Sequence, residues 1–227
     1  MNRTFEEAPS QRSSTAWSIV AAALVTFACT VVAAWLAREL LAAELHRIDS
    51  FSAAVASGLG SGSAVWWRAV TWLGTSYVLW PLVLVIAIAL RAGGRRGEAL
   101  LLAEAMGGAL VLELALKLTL HRARPPALWG DALPSTYSFP SGHALFTATL
   151  CLVLAWIATR HRPIGFTIGV WVAAVLVPLA VGASRVGLGM HYATDVIGGY
   201  GTAVLWLVTL RIARRRSAAR SAGTVRA

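Results

Sequence analysis

The sequence predicts an all-α integral membrane protein with six transmembrane helices and a surface helix between the first and second. Hydrophobic residues make up 57% of the 227 residues and charged residues only 13%, whereas soluble domains usually carry about 25% charged residues. The apolar residues also fall into six runs, and a bilayer core of about 30 Å requires roughly 20 apolar residues in a helix. Most of the predicted surface therefore faces lipid.

The first three apolar runs are long enough, or nearly so, to span the bilayer. Trp17–Ala37 and Ala69–Leu90 contain no charged residue. The third run, Ala99–Leu116, is interrupted by Glu104 and Glu113. All three are predicted to be transmembrane helices.

The last three runs lie in the second half of the chain. Ala144–Thr159 is short, Ile164–Ala183 is free of charge, and Tyr192–Leu210 contains Asp195 near its start. They complete a bundle of six spans.

The segment between the first two spans, Glu39–Arg68, is mixed in polarity. Ile48, Phe51, Val55 and Leu59 recur at near-helical spacing. This pattern predicts an amphipathic helix that lies on the membrane surface.

Three regions are predicted along the chain. Residues 1–14 form a polar N-terminal tail that lacks the basic start and short apolar core of a cleaved signal peptide, so the first apolar run is expected to be retained. Residues 15–212 form the membrane domain. Residues 213–227 form a basic tail, and the arginine-rich part of the chain after Leu210 is expected to fray and contact lipid headgroups.

The net charge of +10 does not indicate a nucleic-acid partner, because the arginines stand at the ends of apolar runs and not on one polar face. The two tails and the loops at 91–96 and 160–162 hold 13 of the 20 cationic residues. By the positive-inside rule, the termini are predicted to be cytoplasmic in a multi-pass protein of the cell membrane. The segments 117–143 and 185–191 then lie together on the outer face.

Three cations on that face lack a matching cluster of carboxylates: Lys117, Arg124 and Arg185. Lys117 is the only lysine in the chain. Taken alone, it could snorkel to the interface or pair with Glu113 one turn back. Together the three favour a bound anion, and phosphate suits both the planar arginine fork and the lysine point charge.

The segment Ser141-Gly142-His143 opens the fourth span. Backbone N–H groups at a helix N-terminus attract an anion, and glycine lets a ligand approach closely. A simple serine cap of the helix would explain Ser141 equally well, and both interpretations can hold.

His191 and Asp195 are four residues apart and share one face if their helix begins near Met190. Asp195 could then orient the imidazole, leaving the other nitrogen to attack phosphorus. His143 suits the general acid and base. Alternatives are a purely structural His–Asp pair and a zinc site, but three neighbouring cations would repel a divalent ion. We therefore predict no metal and no cofactor.

These segments resemble the signatures of the type 2 phosphatidic acid phosphatase family. Its three motifs correspond to Lys117…Arg124-Pro125, to Pro140-Ser141-Gly142-His143, and to Ser184-Arg185…His191…Asp195, in that order. The resemblance covers roughly residues 49–210, and three matched signatures on a membrane bundle are far more specific than any one.

The resemblance implies a metal-independent lipid phosphatase of the bacterial six-span type. It implies that His191 is the nucleophile, that Asp195 orients it and that His143 is the general acid. The phosphate pocket implied by the resemblance consists of Lys117, Arg124, Ser141, Gly142 and Arg185. Family substrates include undecaprenyl diphosphate, phosphatidate and phosphatidylglycerol phosphate, and the sequence does not distinguish prenyl from diacyl tails.

Two other functions are compatible with parts of the sequence. A lipid phosphotransferase would use the same phosphohistidine with an alcohol in place of water. A transporter or inactive scaffold would find support in the buried acids Glu104 and Glu113, although Glu113 has Lys117 four residues on as an ion-pair partner. The family's vanadium-dependent haloperoxidase chemistry does not suit a bundle of six spans.

Overall fold

The structure, a computed structural model, describes residues 9–126, 128–129, 134–160 and 162–224, and within these ranges it is helical and contains no strand. The ends of the predicted terminal tails, residues 1–8 and 225–227, lie outside the described residues. The described α-helices are α1 (Pro9–Gly58), α2 (Ala64–Thr71), α3 (Ser76–Ala92), α4 (Arg96–Leu120), α5 (Gly142–Ala158), α6 (Ile164–Gly187) and α7 (Ala193–Thr224). Short 3-10 helices at Ser61–Ser63 and Trp72–Gly74 flank α2.

Several of these helices are suited to a bilayer. In the described part of the chain, five helical segments are long and apolar enough to cross a membrane. The prediction of an all-α protein with membrane-length helices is thus confirmed. Helix α5 has only 17 residues, which gives about 25 Å, so a count of six spans stays a prediction.

The predicted surface helix is not a separate element in the structure. Helix α1 continues through this region to Gly58, with one non-helical residue, Leu41, at φ −126° and ψ 21°. Beyond this kink the chain turns Asp49 and Ala56 into the protein, where they are 6% and 2% exposed. The position of the segment at the membrane surface stays a prediction.

Helices α4, α5 and α7 form the centre of the bundle around Trp206, which is fully buried. Its indole N–H donates to the carbonyl of Ala105 at 2.8 Å. The ring lies directly against Gly108, where an added Cβ would stand 2.0 Å from a ring carbon. A glycine is therefore needed at this point for α4 and α7 to pack.

Helix α7 extends well beyond the apolar run that predicted it. It packs along α1, and the Thr26 and Thr209 hydroxyls hydrogen-bond at 2.8 Å. Arg214 is ion-paired with Glu104, which provides a structural explanation for an acid that the sequence leaves unexplained. The expectation that the chain frays after Leu210 is wrong, because Ala213 and Ser217 are buried and the helix continues to Thr224.

Candidate active site

The predicted catalytic segments meet at one end of the bundle, where α4 and α6 end and α5 and α7 begin. The backbone N–H of Ser141 donates to the carbonyl of Asp195 at 3.1 Å, which joins the starts of α5 and α7. The backbone N–H of Ser138 donates to the carbonyl of Arg122 at 2.8 Å, which ties the loop that follows α4 to the approach to α5. The site is therefore built from four helix ends and one loop.

Asp195 occupies the first turn of α7 and is fully buried. Its Oδ2 accepts the backbone N–H of Tyr192 at 3.0 Å, while its own N–H donates to the Tyr192 carbonyl at 3.1 Å. The bond from Tyr192 to the carboxylate is one half of a capping box, and a carboxylate is favoured at a helix N-terminus. The i, i+4 spacing predicted that His191 and Asp195 share one face of a helix. Because α7 begins only at Ala193, His191 instead lies just before the helix.

His191 is 4% exposed, and the two nitrogens of its ring face different groups. Nδ1 lies 3.6 Å from Oδ2 of Asp195, too far for a hydrogen bond, and 3.4 Å from Oγ of Ser138. The Ser138 hydroxyl in turn donates to Oδ2 of Asp195. Ser138 therefore connects the imidazole to the carboxylate, an intermediary that the sequence did not predict.

Nε2 of His191 lies 3.1 Å from Nη1 of Arg124. A guanidinium can only donate, so Nε2 must be the unprotonated nitrogen and the ring proton must sit on Nδ1. Burial lowers the pKa of His191 to about 4, and the charges of Arg124 and Arg185 act in the same direction, against Asp195. The imidazole is thus neutral at physiological pH, with its lone pair on the side of the cations.

Arg124 is held by the loop before α5. Its Nε donates to the carbonyl of Thr136 at 2.8 Å, and Nη1 donates to the carbonyl of Met190 at 2.8 Å. Burial lowers the pKa of the guanidinium from its usual value, and the charges of Asp195 and Glu113 oppose this. These bonds fix the plane of the fork while leaving it without a carboxylate in hydrogen-bond contact among the described residues.

Lys117 stands in the last turn of α4 and is 8% exposed. Its Nζ lies 3.0 Å from Oε1 of Glu113 and donates to the Thr136 hydroxyl at 3.4 Å. The same hydroxyl accepts from Nη2 of Arg124 at 3.0 Å. Thr136 therefore brings the two predicted phosphate-binding cations together.

Gly142 is required here for a reason that differs from the predicted one. A Cβ at this position would lie 2.7 Å from Oε1 of Glu113. The space that the missing side chain leaves is thus used by the carboxylate that pairs with Lys117. Gly142 allows α4 and α5 to approach closely at the site.

Arg185 lies in the last turn of α6 and is 7% exposed. Its Nη1 donates to the Thr71 hydroxyl at 2.9 Å. Its carbonyl accepts the backbone N–H groups of Met190 at 2.9 Å and of His191 at 3.3 Å. One residue thus contributes a buried cation and positions the backbone of the candidate nucleophile.

Ser141 and His143 each carry a buried polar atom that lacks a hydrogen-bond partner among the described residues, Oγ and Nε2 respectively. Gly74 packs against the imidazole of His143, where an added Cβ would lie 2.9 Å from Cδ2. Arg185, His191, Lys117 and Arg124 are all near enough to act on His143 electrostatically. Buried polar atoms are rarely left unsatisfied in proteins, so both groups suit a ligand.

The site also includes residues to which the sequence assigned no role. Arg122 donates to Asp195 and Asp49, and Ser138 donates to Asp195. Arg122 and Ser138 each lie two residues before a motif residue, and this nearness in sequence could have marked them as part of the site. Asp49 had no such signal, because 60 or more residues separate it from every motif.

All eight predicted site residues lie in this region: His191, His143, Asp195, Lys117, Arg124, Ser141, Gly142 and Arg185. Within the described residues, no group of three or more histidine, cysteine, aspartate or glutamate side chains is placed to hold a metal ion.

The match to known proteins covers the same part of the chain. The family model of the PAP2 superfamily matches residues 98–217, which include nearly all of α4, the whole of α5 and α6, most of α7 and every predicted site residue.

Two curated relatives have functional names. The chain is 33% identical over 142 residues to phosphatidylglycerophosphatase B of Bacillus subtilis, covering 60% of this chain and 68% of that protein. It is 30% identical over 97 residues to undecaprenyl-diphosphatase of Sulfolobus acidocaldarius, covering 40% of this chain and 43% of that protein.

A solved structure shares the fold. The transmembrane PAP2-type phosphatidylglycerolphosphate phosphatase from Bacillus subtilis superposes with a TM-score of 0.69 at 25% identity, covering 86% of this chain and 96% of that one.

Proposed function

The chain belongs to the PAP2 superfamily and is a lipid phosphatase, and from this premise we propose that it acts through a phosphohistidine formed on His191. One observation carries the proposal. The unprotonated Nε2 of His191 is turned towards Arg124, while the protonated Nδ1 is turned towards Ser138 and Asp195. This is the tautomer that a nucleophilic imidazole requires.

In the first step, Nε2 attacks phosphorus, and a P–N bond forms as the P–O bond to the lipid breaks. The imidazole gains positive charge, which the buried carboxylate of Asp195 stabilises through Ser138. In the complex the negative charge of the bound phosphate favours protonation of His143, which then gives this proton to the departing oxygen. The first products are the dephosphorylated lipid and phosphohistidine.

In the second step, His143 takes a proton from water, and the water oxygen attacks phosphorus. The P–N bond breaks, inorganic phosphate leaves and His191 returns to its neutral form. Phosphoryl transfer relies mainly on positioning and charge stabilisation, and here Lys117, Arg124 and Arg185 supply positive charge on the phosphoryl oxygens.

Arg124 has to exchange one partner when phosphate binds. Its fork now donates to Nε2 of His191 at 3.1 Å, and a phosphate oxygen is a stronger acceptor because it is charged. Substrate therefore draws the guanidinium away and frees the lone pair for attack. The unpartnered Oγ of Ser141 and Nε2 of His143 gain the phosphoryl group and the leaving oxygen as partners.

The substrate is a membrane lipid phosphate or diphosphate: phosphatidylglycerol phosphate, undecaprenyl diphosphate or phosphatidate. The named relatives act on the first two of these classes. The excess of cations in the tails and in the loops at 91–96 and 160–162 favours cytoplasmic termini and an active site on the outer face.

The test is phosphate release by the purified full-length protein in detergent with EDTA, measured on the three lipids. Release from at least one lipid should continue in EDTA, and a dependence on added magnesium would contradict metal-independent chemistry. A phosphoprotein trapped by rapid quenching under alkaline conditions should carry its phosphate on His191.

His191→Ala and His143→Ala should each lower kcat by about a thousandfold or more. The matched control is His46→Ala, because His46 is exposed and its side chain contacts the exposed Ser50 hydroxyl at 3.4 Å, away from the site. Full activity of His191→Ala would overturn the proposal.

A further inference from the structure

Arg122 lies between two buried carboxylates. Its Nη1 is 2.6 Å from Oδ1 of Asp195, and its Nη2 is 2.7 Å from Oδ2 of Asp49. Asp49 is 6% exposed and Asp195 is fully buried, whereas the guanidinium side chain of Arg122 is 33% exposed. The result is a row of three charges, negative, positive and negative, that runs from α1 to the active site.

Further contacts fix the guanidinium. Its central carbon lies 4.5 Å from the centre of the Tyr192 ring, a favourable distance for a cation over an aromatic face. Nη1 also donates to the Thr194 hydroxyl at 2.7 Å. Arg122 is thus held on the first turn of α7, the turn that carries Asp195.

Asp49 secures the same turn from the other side. Its Oδ1 accepts the backbone N–H of Thr194 at 3.1 Å, and the Thr194 hydroxyl lies 2.8 Å from Oδ2. An N–H group at a helix start has no partner within its own helix. A carboxylate of α1 therefore supplies the cap for the helix that positions the site.

We propose that Arg122 is a positioning residue for the nucleophile, which holds Asp195 in place and shares its own charge between Asp195 and Asp49. The inference rests on the proposed function, in which His191 attacks phosphorus. Arg122 and Ser138 hold the two oxygens of Asp195 separately, Oδ1 and Oδ2. The orientation of the carboxylate behind the imidazole is then determined by Arg122, a variable position within the first motif, and by Ser138, which lies before the second motif.

Arg122 does not serve as a phosphate ligand in this proposal, although it stands two residues before Arg124. Both of its terminal nitrogens donate to carboxylates. The terminal nitrogens of Arg124 instead contact carbonyl groups, a hydroxyl and the imidazole of His191. Of these two arginines, only Arg124 can bind a substrate oxygen without giving up an ion pair.

The charge arrangement makes a distinctive prediction for the protonation of His191. Arg122→Gln leaves Asp195 un-neutralised, so the protonated imidazole is stabilised and the acid limb of kcat/KM moves to higher pH. Asp49→Asn leaves Arg122 to act on Asp195 alone, so the limb moves to lower pH. A purely structural role would not shift the limb in opposite directions.

The other groups that act on His191 are unchanged in these variants. The groups that act on it directly are Asp195 of α7, Arg124 of the loop after α4, and Arg185 of α6. His143 of α5 also interacts with it, and Lys117 of α4 acts on His143.

The experiment measures pH profiles of kcat/KM for the purified full chain in detergent, with thermal unfolding of each variant as a check of folding. Arg122→Gln should lower kcat by about 10- to 100-fold, the range for removing a group that orients a site residue, with KM changed by less than about threefold. The matched control is Arg47→Gln, because Arg47 is exposed and pairs only on the surface, with Glu44. It should behave as the unsubstituted protein.

Arg122→Lys provides a second variant if the glutamine variant does not fold. Lysine keeps the charge but cannot bridge two carboxylates with a planar fork, so kcat should fall while the acid limb stays near its original position. A rise in KM with unchanged kcat would overturn the proposal by making Arg122 a substrate ligand. Shifts of the limb in the same direction for Arg122→Gln and Asp49→Asn would also overturn it.

The proposed function is tested separately by His191→Ala in the same assay. If His191→Ala remains active, the phosphohistidine mechanism fails and the positioning role fails with it. If His191→Ala is inactive while Arg122→Gln retains full kcat and an unshifted limb, only the positioning role fails.

Discussion

Nη1 of Arg124 lies 3.1 Å from Nε2 of His191, so the candidate nucleophile donates no proton on the side where phosphate would bind. Arginine has no acceptor atom, and this single contact assigns the ring proton to Nδ1. It also places Arg124, the proposed phosphate ligand, next to the nitrogen that we propose attacks phosphorus. In the proposed mechanism, the movement of this one side chain couples the binding of phosphate to the release of the lone pair.

Arg124→Lys tests whether the planar guanidinium, and not only its positive charge, is needed at this position. Lysine keeps the positive charge but loses the fork that contacts the Thr136 hydroxyl and His191 together. We expect kcat/KM to fall about 100-fold and inhibition by inorganic phosphate to weaken, measured by steady-state assays. Arg47→Lys is the control, and an Arg124→Lys enzyme with unchanged phosphate inhibition would contradict the assigned contact.

The pH dependence follows from burial of His191, whose pKa is lowered to about 4. The free enzyme keeps its lone pair at every pH above that value, so kcat/KM should rise through an acid limb near pH 4 and not near 6.5. A limb at 6.5 that His143→Ala leaves in place would contradict this.

The same lowered pKa affects folding. In the unfolded chain His191 is protonated below about pH 6.5, whereas in the folded chain it is protonated only below about pH 4. Burial of the neutral imidazole therefore lowers the free energy of unfolding as the pH falls from 6.5 towards 4, and it has no such effect above 6.5. Thermal unfolding across this window identifies the pH below which loss of activity reflects unfolding.

Ser138→Ala removes the hydroxyl between Nδ1 of His191 and Oδ2 of Asp195. At 3.6 Å the carboxylate does not replace it by direct hydrogen bonding. We expect kcat to fall about 10- to 100-fold with little change in KM, as for other groups that orient a site residue. Ser57→Ala, on the exposed part of α1, is the control. Unchanged kcat in Ser138→Ala would show that the hydroxyl has no orienting role.

Gly142→Ala should disturb the contact between α4 and α5. The new Cβ would lie 2.7 Å from Oε1 of Glu113, and overpacking of this kind costs about 1–3 kcal/mol. We expect a lower unfolding temperature and a rise in KM, because Glu113 carries Lys117 with it. Gly107→Ala is the matched control, since its Cβ meets nothing within 4 Å.

The sequence could predict which residues gather at the site, because the motifs fall at the ends of apolar runs. It could not predict how they contact one another. The i, i+4 spacing of His191 and Asp195 suggested a direct bond along a helix, but α7 begins only at Ala193 and Ser138 fills the gap. Because α7 begins three residues later than Met190, the direct contact between the two side chains is replaced by one through the Ser138 hydroxyl.

Asp49 could not be predicted as part of the site for another reason. Its segment reads as an amphipathic surface helix, and periodicity reports which side of a helix is apolar but not which polar residue is buried. The kink at Leu41 redirects α1, and tertiary packing brings Asp49 to the start of α7. Charge pairs of this kind depend on the arrangement of helices, which a single sequence does not contain.

Helix α5 carries Gly142 and His143 on a short rod that the other helices enclose, since no residue of α5 before Ala158 is exposed. Changes in bilayer thickness are met by the outer helices, which tilt to match the length of the acyl chains. We expect this packing to shield the histidine on α5 from that adjustment. We therefore expect turnover to stay nearly constant in vesicles of differing lipid length, even where the outer helices change their tilt.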